Sequence, residues 1–395
     1  MTHGETEAQA GPVQVRGTVL TVRRVDAYHA MTLVAPAIAA RFRPGQFITL
    51  AVGGPDTSMM LSRAFSVHDV RPDHGGTVEF VFAVHGRGTR WLAERRARDV
   101  LDVTGPLGRP FPLPRDPANC LLVGGGYGSA PLFALAARLR ERRCEVDFLL
   151  GAASGDRVFG ALTARRTGRS AAITTEDGSL GSRGVVTDLL DQVIHDGRTD
   201  VIYACGPMPM LRQVTVLARR YDIPVQVAVE EAMACGVGVC MTCVLPVIGS
   251  DGITRMSRSC ADGPVFRGEQ VRWDDIGTIP FDAFGAPGWE PRAHRAALAQ
   301  GRVSQAPADG AELAAVAGRA AAHAQAAGAG HAAMAGPDQQ AEPAPADQPD
   351  RPAADGQGGR PADAVQQGRA ASAGQLGARG GGARGKGARR QGHGG

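Results

Sequence analysis

Four cysteines around position 240 constrain this chain more tightly than any other feature. Cys235, Cys240 and Cys243 are spaced C-x4-C-x2-C, and Cys260 follows after sixteen further residues. The first three match the plant-type spacing for a 2Fe-2S cluster. A loop around inorganic sulfide must wrap closely and aim backbone N–H groups at it. Gly236 and Gly238 permit that approach, where bulky side chains would hold the backbone away. Four thiolates also suit tetrahedral zinc, although zinc ribbons usually carry two C-x2-C pairs and an x4 gap with two glycines is unusual for them. On either reading, residues 229–285 are organised by a metal rather than by a hydrophobic core. Seven cysteines, an odd number and mostly in one short segment, argue against a secreted disulfide framework. Cys120 and Cys144, in or beside strand-like runs, read as small buried hydrophobes.

The 395 residues are unevenly composed. From Ala286 to Gly395 about half are Ala or Gly, and Trp289 is the only aromatic residue. Such a segment cannot bury enough apolar surface to offset ordering its backbone, so 286–395 reads as a disordered low-complexity tail. It is either a flexible appendage with weak anionic partners near Arg379–Arg390 or an extension without a role. Residues 1–12 read as a disordered leader. The formal net charge of +4 is modest, and much of the excess lies beyond Arg351, so no nucleic-acid-binding core is indicated. Two uncharged runs, Cys120–Ala137 and Ala234–Ser250, approach membrane-spanning length but are broken by Gly and Pro. With no basic region and apolar stretch at the start, the expectation is a cytoplasmic protein with no membrane segment.

Three textures divide the first 285 residues. Over 13–113, short runs rich in Val, Thr, Phe and Ile (Val15–Val22, Gln46–Val52, Thr77–Val84) alternate with Gly/Pro/Asp clusters, which predicts a small antiparallel β-barrel. Over 114–228, apolar strands alternate with helices: Cys120–Val123, a helix over Pro131–Arg143, Glu145–Leu150, then Asp200–Ala204 and a helix ending near Arg220. That rhythm predicts a parallel sheet with crossover helices. The cysteine segment has little regular periodicity. The fold class is therefore multidomain: an all-β barrel, a parallel α/β domain, a small metal domain and the tail.

Cofactor signals are distributed over the first two domains. Arg63-Ala64-Phe65-Ser66 ends a strand of the barrel, and Val84-His85-Gly86-Arg87-Gly88-Thr89 follows later. An arginine fork can bind a pyrophosphate, a serine hydroxyl a flavin edge, and the N–H groups of Gly88-Thr89 a phosphate. Taken alone, the motif fits equally a surface arginine beside a turn. In the second domain, Val123-Gly124-Gly125-Gly126-Tyr127-Gly128-Ser129-Ala130-Pro131-Leu132 runs from a strand through a glycine turn into a helix, whose N-terminus favours phosphate. A second loop, Cys205-Gly206-Pro207-Met208-Pro209-Met210, ends a later strand, and two such loops at carboxyl ends of parallel strands would frame one crevice. No histidine sits in a nucleophile or metal spacing, and His85 reads as a turn residue. No catalytic side chain is nominated.

In this order, R-x-x-S, G-x-G-T, G-G-G-x-G-x-x-P-L, C-G-P-x-P-M and the four cysteines resemble the electron transfer subunits of class 1B dihydroorotate dehydrogenases, within the ferredoxin-reductase-like superfamily. The resemblance covers about residues 13–280. It is closest at Glu231–Cys240, at Cys260-Ala-Asp-Gly-Pro-Val-Phe266, and at Glu176–Ser179 with Val186–Leu189. Ala64-Phe65 departs from the common Pro-Ile, and Ala232 stands where an Arg is frequent. The resemblance implies that Arg63, Ala64, Phe65, Ser66, Val81, Phe82, Ala83, Gly88 and Thr89 hold FAD. It places NAD on Gly125, Gly126, Gly128, Cys205, Gly206 and Pro207, and a 2Fe-2S cluster on Cys235, Cys240, Cys243 and Cys260. It further implies a separate FMN-containing catalytic subunit in a two-plus-two heterotetramer serving pyrimidine biosynthesis. Two alternatives stay open: a flavin and iron-sulfur subunit of a ferredoxin-NADP reductase or cytosolic hydrogenase, and a zinc-stabilised binding module without turnover. The choice between NAD and NADP also stays open, because Gly151–Arg157 offers both Asp156 and Arg157.

Overall fold

The computed structural model describes residues 11–54, 57–287 and 289, all within the compact unit Met1–Ala327. The leader residues 1–10 and the tail from 290 onward lie outside the described residues. Six strands form the first domain: β1 (Val13–Val25), β2 (Tyr28–Val34), β3 (Phe47–Leu50), β4 (Arg63–Arg71), β5 (Thr77–Phe82) and β6 (Val100–Leu107), with short helices α1 (Pro36–Ala39) and α2 (Arg87–Ala93). They close in the order β1-β2-β5-β4-β3-β6, and every neighbouring pair is antiparallel. Alternation along each strand sends Met31, Ile48, Phe65, Val67, Phe80 and Phe82 inward, where Phe65 stacks on Phe80 at 4.7 Å. Closure leaves no free sheet edge in the barrel.

The second domain runs β7 (Asn119–Gly125), α3 (Ala130–Glu141), β8 (Glu145–Ala152), α4 (Ala161–Thr167), β9 (Ser170–Thr175), β10 (Ser182–Arg183), α5 (Val186–Gly197), β11 (Val201–Cys205), α6 (Met208–Ala218) and β12 (Val225–Ala228). These strands pair in parallel. Helix α3 buries Leu132, Leu135 and Leu139 on one face of the sheet. Helices α5 and α6 bury Leu190, Ile194, Leu211 and Val214 on the other. Apolar cover on both faces explains why β7 and β8 read as continuous hydrophobic runs.

Residues 229 onward hold β13 (Val244–Ile248), β14 (Thr254–Arg258) and β15 (Val265–Arg267). Strands β13 and β14 form a two-stranded antiparallel sheet, whereas β15 pairs antiparallel with β12 and becomes the edge of the seven-stranded sheet. Leu245, Val247 and Phe266 also join the α5/α6 core. The parallel sheet expected over 114–228 thus gains an antiparallel strand from the cysteine segment, and the two share a core. The weak periodicity of three short strands hid this arrangement.

Side-chain contacts from β2 and β4 help fix the barrel against the α/β domain. His68 on β4 donates from Nδ1 to the Ala130 carbonyl (2.9 Å) and sits edge-on to Phe133 and Phe159. Tyr28 donates its hydroxyl to the Arg157 carbonyl (2.8 Å).

Candidate functional site

The cysteine loop is seated on the barrel. Cys243 and Cys260 are buried against Phe47 of β3 and Leu107 of β6. Gly236 adopts φ +70° with its Cα so close to β3 that an added Cβ would lie 2.7 Å from Thr49 Cγ2. Only glycine combines that dihedral with that approach. Gly238 (φ +84°) likewise leaves only 3.0 Å between an added Cβ and Ala261 Cβ.

Within the loop the sulfurs meet backbone donors. The N–H groups of Val239 and Cys240 point at Cys235 Sγ (3.4 and 3.5 Å). Desolvation raises the Cys235 pKa, but the N–H groups of Cys240, Val237 and Val239 outweigh it and bring it down to about 6, which favours the thiolate. Cys240 is exposed, and its pKa is lowered by Thr242, first through the side chain and then through the backbone. Burial pushes Cys260 up to about 12, reinforced by the adjacent Cys243 thiol. Cys235 and Cys240 thus lie toward solvent, and Cys243 and Cys260 in the interior. Among the described residues no three His, Cys, Asp or Glu side chains converge on a single ion. Ser259 Oγ, fully buried beside Cys260, has no hydrogen-bond partner. Four thiols in one segment, with backbone N–H groups aimed at Cys235 Sγ, fit a 2Fe-2S cluster.

The same barrel face carries the flavin motif. Ala64 and Ser66 are exposed, and their cross-strand partners are Thr49 and Phe47, the two β3 residues that touch the cysteine loop. Arg63 is half-buried and donates from Nη1 to the Leu61 carbonyl (2.6 Å). Its guanidinium lies against Gly88, where a Cβ would come within 2.8 Å of Nε. Thr89 Oγ1 accepts from the N–H groups of His85 (3.0 Å) and Gly86 (3.2 Å), so its hydroxyl shapes the loop. Val81 and Ala83 face the α/β core. Phe65 and Phe82 point into the barrel, which leaves only their backbone for a ligand on the outer face.

The two glycine loops meet directly. Strand β7 is flanked by β8 and β11, so successive strands leave it in opposite directions and open a crevice at their carboxyl ends. There an added Cβ on Gly125 would lie 2.7 Å from Pro207 Cδ, and one on Gly128 would lie 2.8 Å from Gly206 Cα. Gly126 turns at φ +55° beside the Tyr28 hydroxyl. Tyr127 lies 5.3 Å from Tyr28 and 6.4 Å from His85 between ring centroids. Burial, followed by the charge of Glu230, raises the pKa of Tyr127 and pushes Cys205 up to about 12. Glu230 touches solvent, yet the protein crowding its carboxyl raises its own pKa against the opposite pull of His85. Cys205 is therefore a neutral thiol at pH 7.

Sequence reasoning missed several residues here: Thr49, Glu230, Ser259 and Arg258, which donates to Gly238 in the cysteine loop. The i,i+4 pair of Arg258 and Asp262 straddling Cys260 was the one available signal. Thr49 and Glu230 carry none, because their importance comes from contacts between domains.

A family model for the iron-sulfur cluster binding domain of dihydroorotate dehydrogenase B matches residues 230–272. The dihydroorotate dehydrogenase B (NAD(+)) electron transfer subunit of Geobacillus kaustophilus is 38% identical over 261 residues, covering 65% of this chain and 97% of that protein. A homolog of that subunit from Thermotoga maritima is 33% identical over 243 residues, covering 61% and 82%. Among solved structures, an NADH-dependent reduced ferredoxin-NADP oxidoreductase aligns with TM-score 0.59 at 30% identity, covering 66% of this chain and 91% of that one. With its cysteine loop matched by the family model and nearly the whole length of such relatives aligned, the chain belongs to the family of dihydroorotate dehydrogenase B electron transfer subunits.

Proposed function

We propose that this chain relays electrons from a separate, FMN-bearing dihydroorotate-oxidising subunit through a 2Fe-2S cluster and FAD to NAD. The seating of the cysteine loop on the face that exposes Ala64 and Ser66 carries this reading, because it puts the metal site and the flavin motif on one surface. A flavin exchanges two electrons with a nicotinamide and single electrons with a one-electron centre, so it forms the junction. The chain's own residues bind and orient. Arg63 offers a charged fork to the pyrophosphate, and Ser66 and the Val81–Ala83 backbone hold the flavin, with Gly88-Thr89 at its phosphates. Gly125, Gly126 and Gly128, with Cys205-Gly206-Pro207, let a dinucleotide pass close to the backbone. Cys235, Cys240, Cys243 and Cys260 are the cluster ligands. Domains 13–113, 114–228 and 229–285 take FAD, NAD and the cluster in turn.

Dihydroorotate oxidation is assigned to the partner, because the described residues form a six-stranded barrel and a doubly wound sheet rather than the (β/α)8 barrel of about 250 residues that such chemistry would add. Among the described residues no helix is long and apolar enough to cross a membrane. A cytoplasmic two-plus-two heterotetramer completes the reading. It is tested by purifying this chain with the catalytic subunit and following NADH formation on adding dihydroorotate. A fully loaded complex that forms none rejects the assignment. The solved oxidoreductase favours a second reading, electron exchange with ferredoxin. Turnover with reduced ferredoxin and none with the dihydroorotate-oxidising subunit would select it.

A further inference from the structure

We propose that Arg258 is a positioning residue for the cluster, which ties together the two cysteine-bearing segments and sets the reduction potential by placing a cation between the Cys235–Cys240 loop and the turn that carries Cys260. The inference rests on the reading of the four cysteines as ligands of a 2Fe-2S cluster.

Arg258 ends β14, two residues before Cys260. Its carbonyl accepts from the N–H groups of Ala261 (3.1 Å), Asp262 (2.8 Å) and Gly263 (3.3 Å), which closes the turn that carries Cys260. Next to it, the Ser259 N–H donates to the Cys243 carbonyl (2.8 Å) and joins the third and fourth cysteines. The side chain reaches the other way. Nη1 donates to the Gly238 carbonyl (3.0 Å), in the loop between Cys235 and Cys240. Nε and Nη2 donate to Asp262 Oδ2 (3.1 Å) and Oδ1 (3.3 Å), and the Arg258 backbone N–H also reaches Oδ2 (3.0 Å). Three of about five side-chain donors are thereby engaged, and the planar fork is held in one orientation. A lysine retains the charge but not that geometry.

Arg258 is two residues from Cys260 in the chain and is hydrogen-bonded to Gly238 in the loop between Cys235 and Cys240, so its charge sits within the cysteine segment. Reduction of a 2Fe-2S cluster adds one electron and one negative charge to a group already ligated by four thiolates. Nearby charge and hydrogen bonding are among the factors that set the potential of such a centre. The Arg258 cation favours the reduced form, and the Asp262 carboxylate opposes it. Removing the two members of this ion pair must therefore move the potential in opposite directions, which a purely structural clamp would not do.

The test is a dye-mediated redox titration of the full chain followed by electron paramagnetic resonance, after iron and acid-labile sulfide have been measured. At the potential where the parent cluster is half reduced, Arg258→Gln is expected to lower the reduced-to-oxidised ratio about tenfold, or about 59 mV for a one-electron couple. Arg258→Lys should give a smaller fall, and Asp262→Asn a rise. Cluster-loaded Arg258→Gln and Asp262→Asn proteins with unchanged potentials, or with shifts of the same sign, overturn the proposal while leaving the cluster assignment intact. A parent chain that takes up no iron and sulfide overturns the cluster assignment and this proposal together. If Arg258→Gln loses its cluster, the opposite shifts of Arg258→Lys and Asp262→Asn decide the matter, and their failure to appear overturns it.

Discussion

Cys240 and Cys243 share a chemical role but not an environment. Cys240 is exposed, whereas Cys243 is 1% exposed among Phe47, Leu107 and Cys260. Cys240→Ser should therefore abolish or weaken the cluster with little change in the stability of the iron-free protein. Cys243→Ser should do both, costing about 1–3 kcal/mol for a hydroxyl buried without a partner. Iron content and urea midpoints check this pair. Arg63→Ala should spare the iron and lower FAD occupancy, through loss of a charge-assisted contact worth about 1.5–3 kcal/mol. Flavin absorbance after desalting reads that outcome. Glu230 gives a pH dependence. Its pKa is raised in the folded protein, so the folded state holds its proton more tightly than the unfolded chain does. The resulting stability is present at acid pH and is lost as pH rises from the usual carboxylate range through the folded value. Glu230→Gln should flatten that decline in a series of thermal midpoints. The cysteines, Arg63 and Ser66 could be nominated from the sequence because the proposal for them rests on spacing. Glu230 and Ser259 could not, because the protein crowding one carboxyl and the lack of a partner for one buried hydroxyl belong to tertiary structure.

At the scale of elements, the loops after β7 and β11 act as one unit. Gly206 and Gly125 are in backbone contact, and a Cβ on Gly206 would stand 3.0 Å from Gly125 Cα and N. Gly206→Ala should push the loops apart at a typical overpacking cost of about 1–3 kcal/mol. It should weaken NAD binding tenfold or more while FAD and iron contents stay at parental levels. Titration with NAD measures it, and loss of all three groups would mean that the crevice is not separable from the rest. Both loops were visible in the sequence as glycine-rich strand ends. The strand character of Phe65 and Phe82 was visible too, but not the face each presents. A strand alternates with a period of two, and the register that turned these rings inward was set by pairing with β3 and β2. Strands β13 to β15 escaped notice for a different reason: at three to five residues, they carry too few positions for a periodicity to show.

For the whole molecule, the barrel, the doubly wound sheet and the cysteine segment share packed interfaces ahead of residue 290. A chain ending at Trp289 is expected to match the parent in iron and FAD content, with a thermal midpoint within a few degrees. Cofactor loss on that truncation would give residues 290–395 a part in the fold. What the sequence determined alone was whatever depends on covalent spacing: four thiols gathered in one short segment, glycines where backbones approach closely, and the change from strand rhythm to strand-helix rhythm near residue 114. The tertiary structure alone decided which surfaces face each other. It set the cysteine loop on Thr49 and Phe47 beside Ala64 and Ser66, added β15 to the sheet, and turned Arg258 toward Gly238. These contacts join residues far apart in the chain, and their energy comes from burial and pairing that no local pattern encodes.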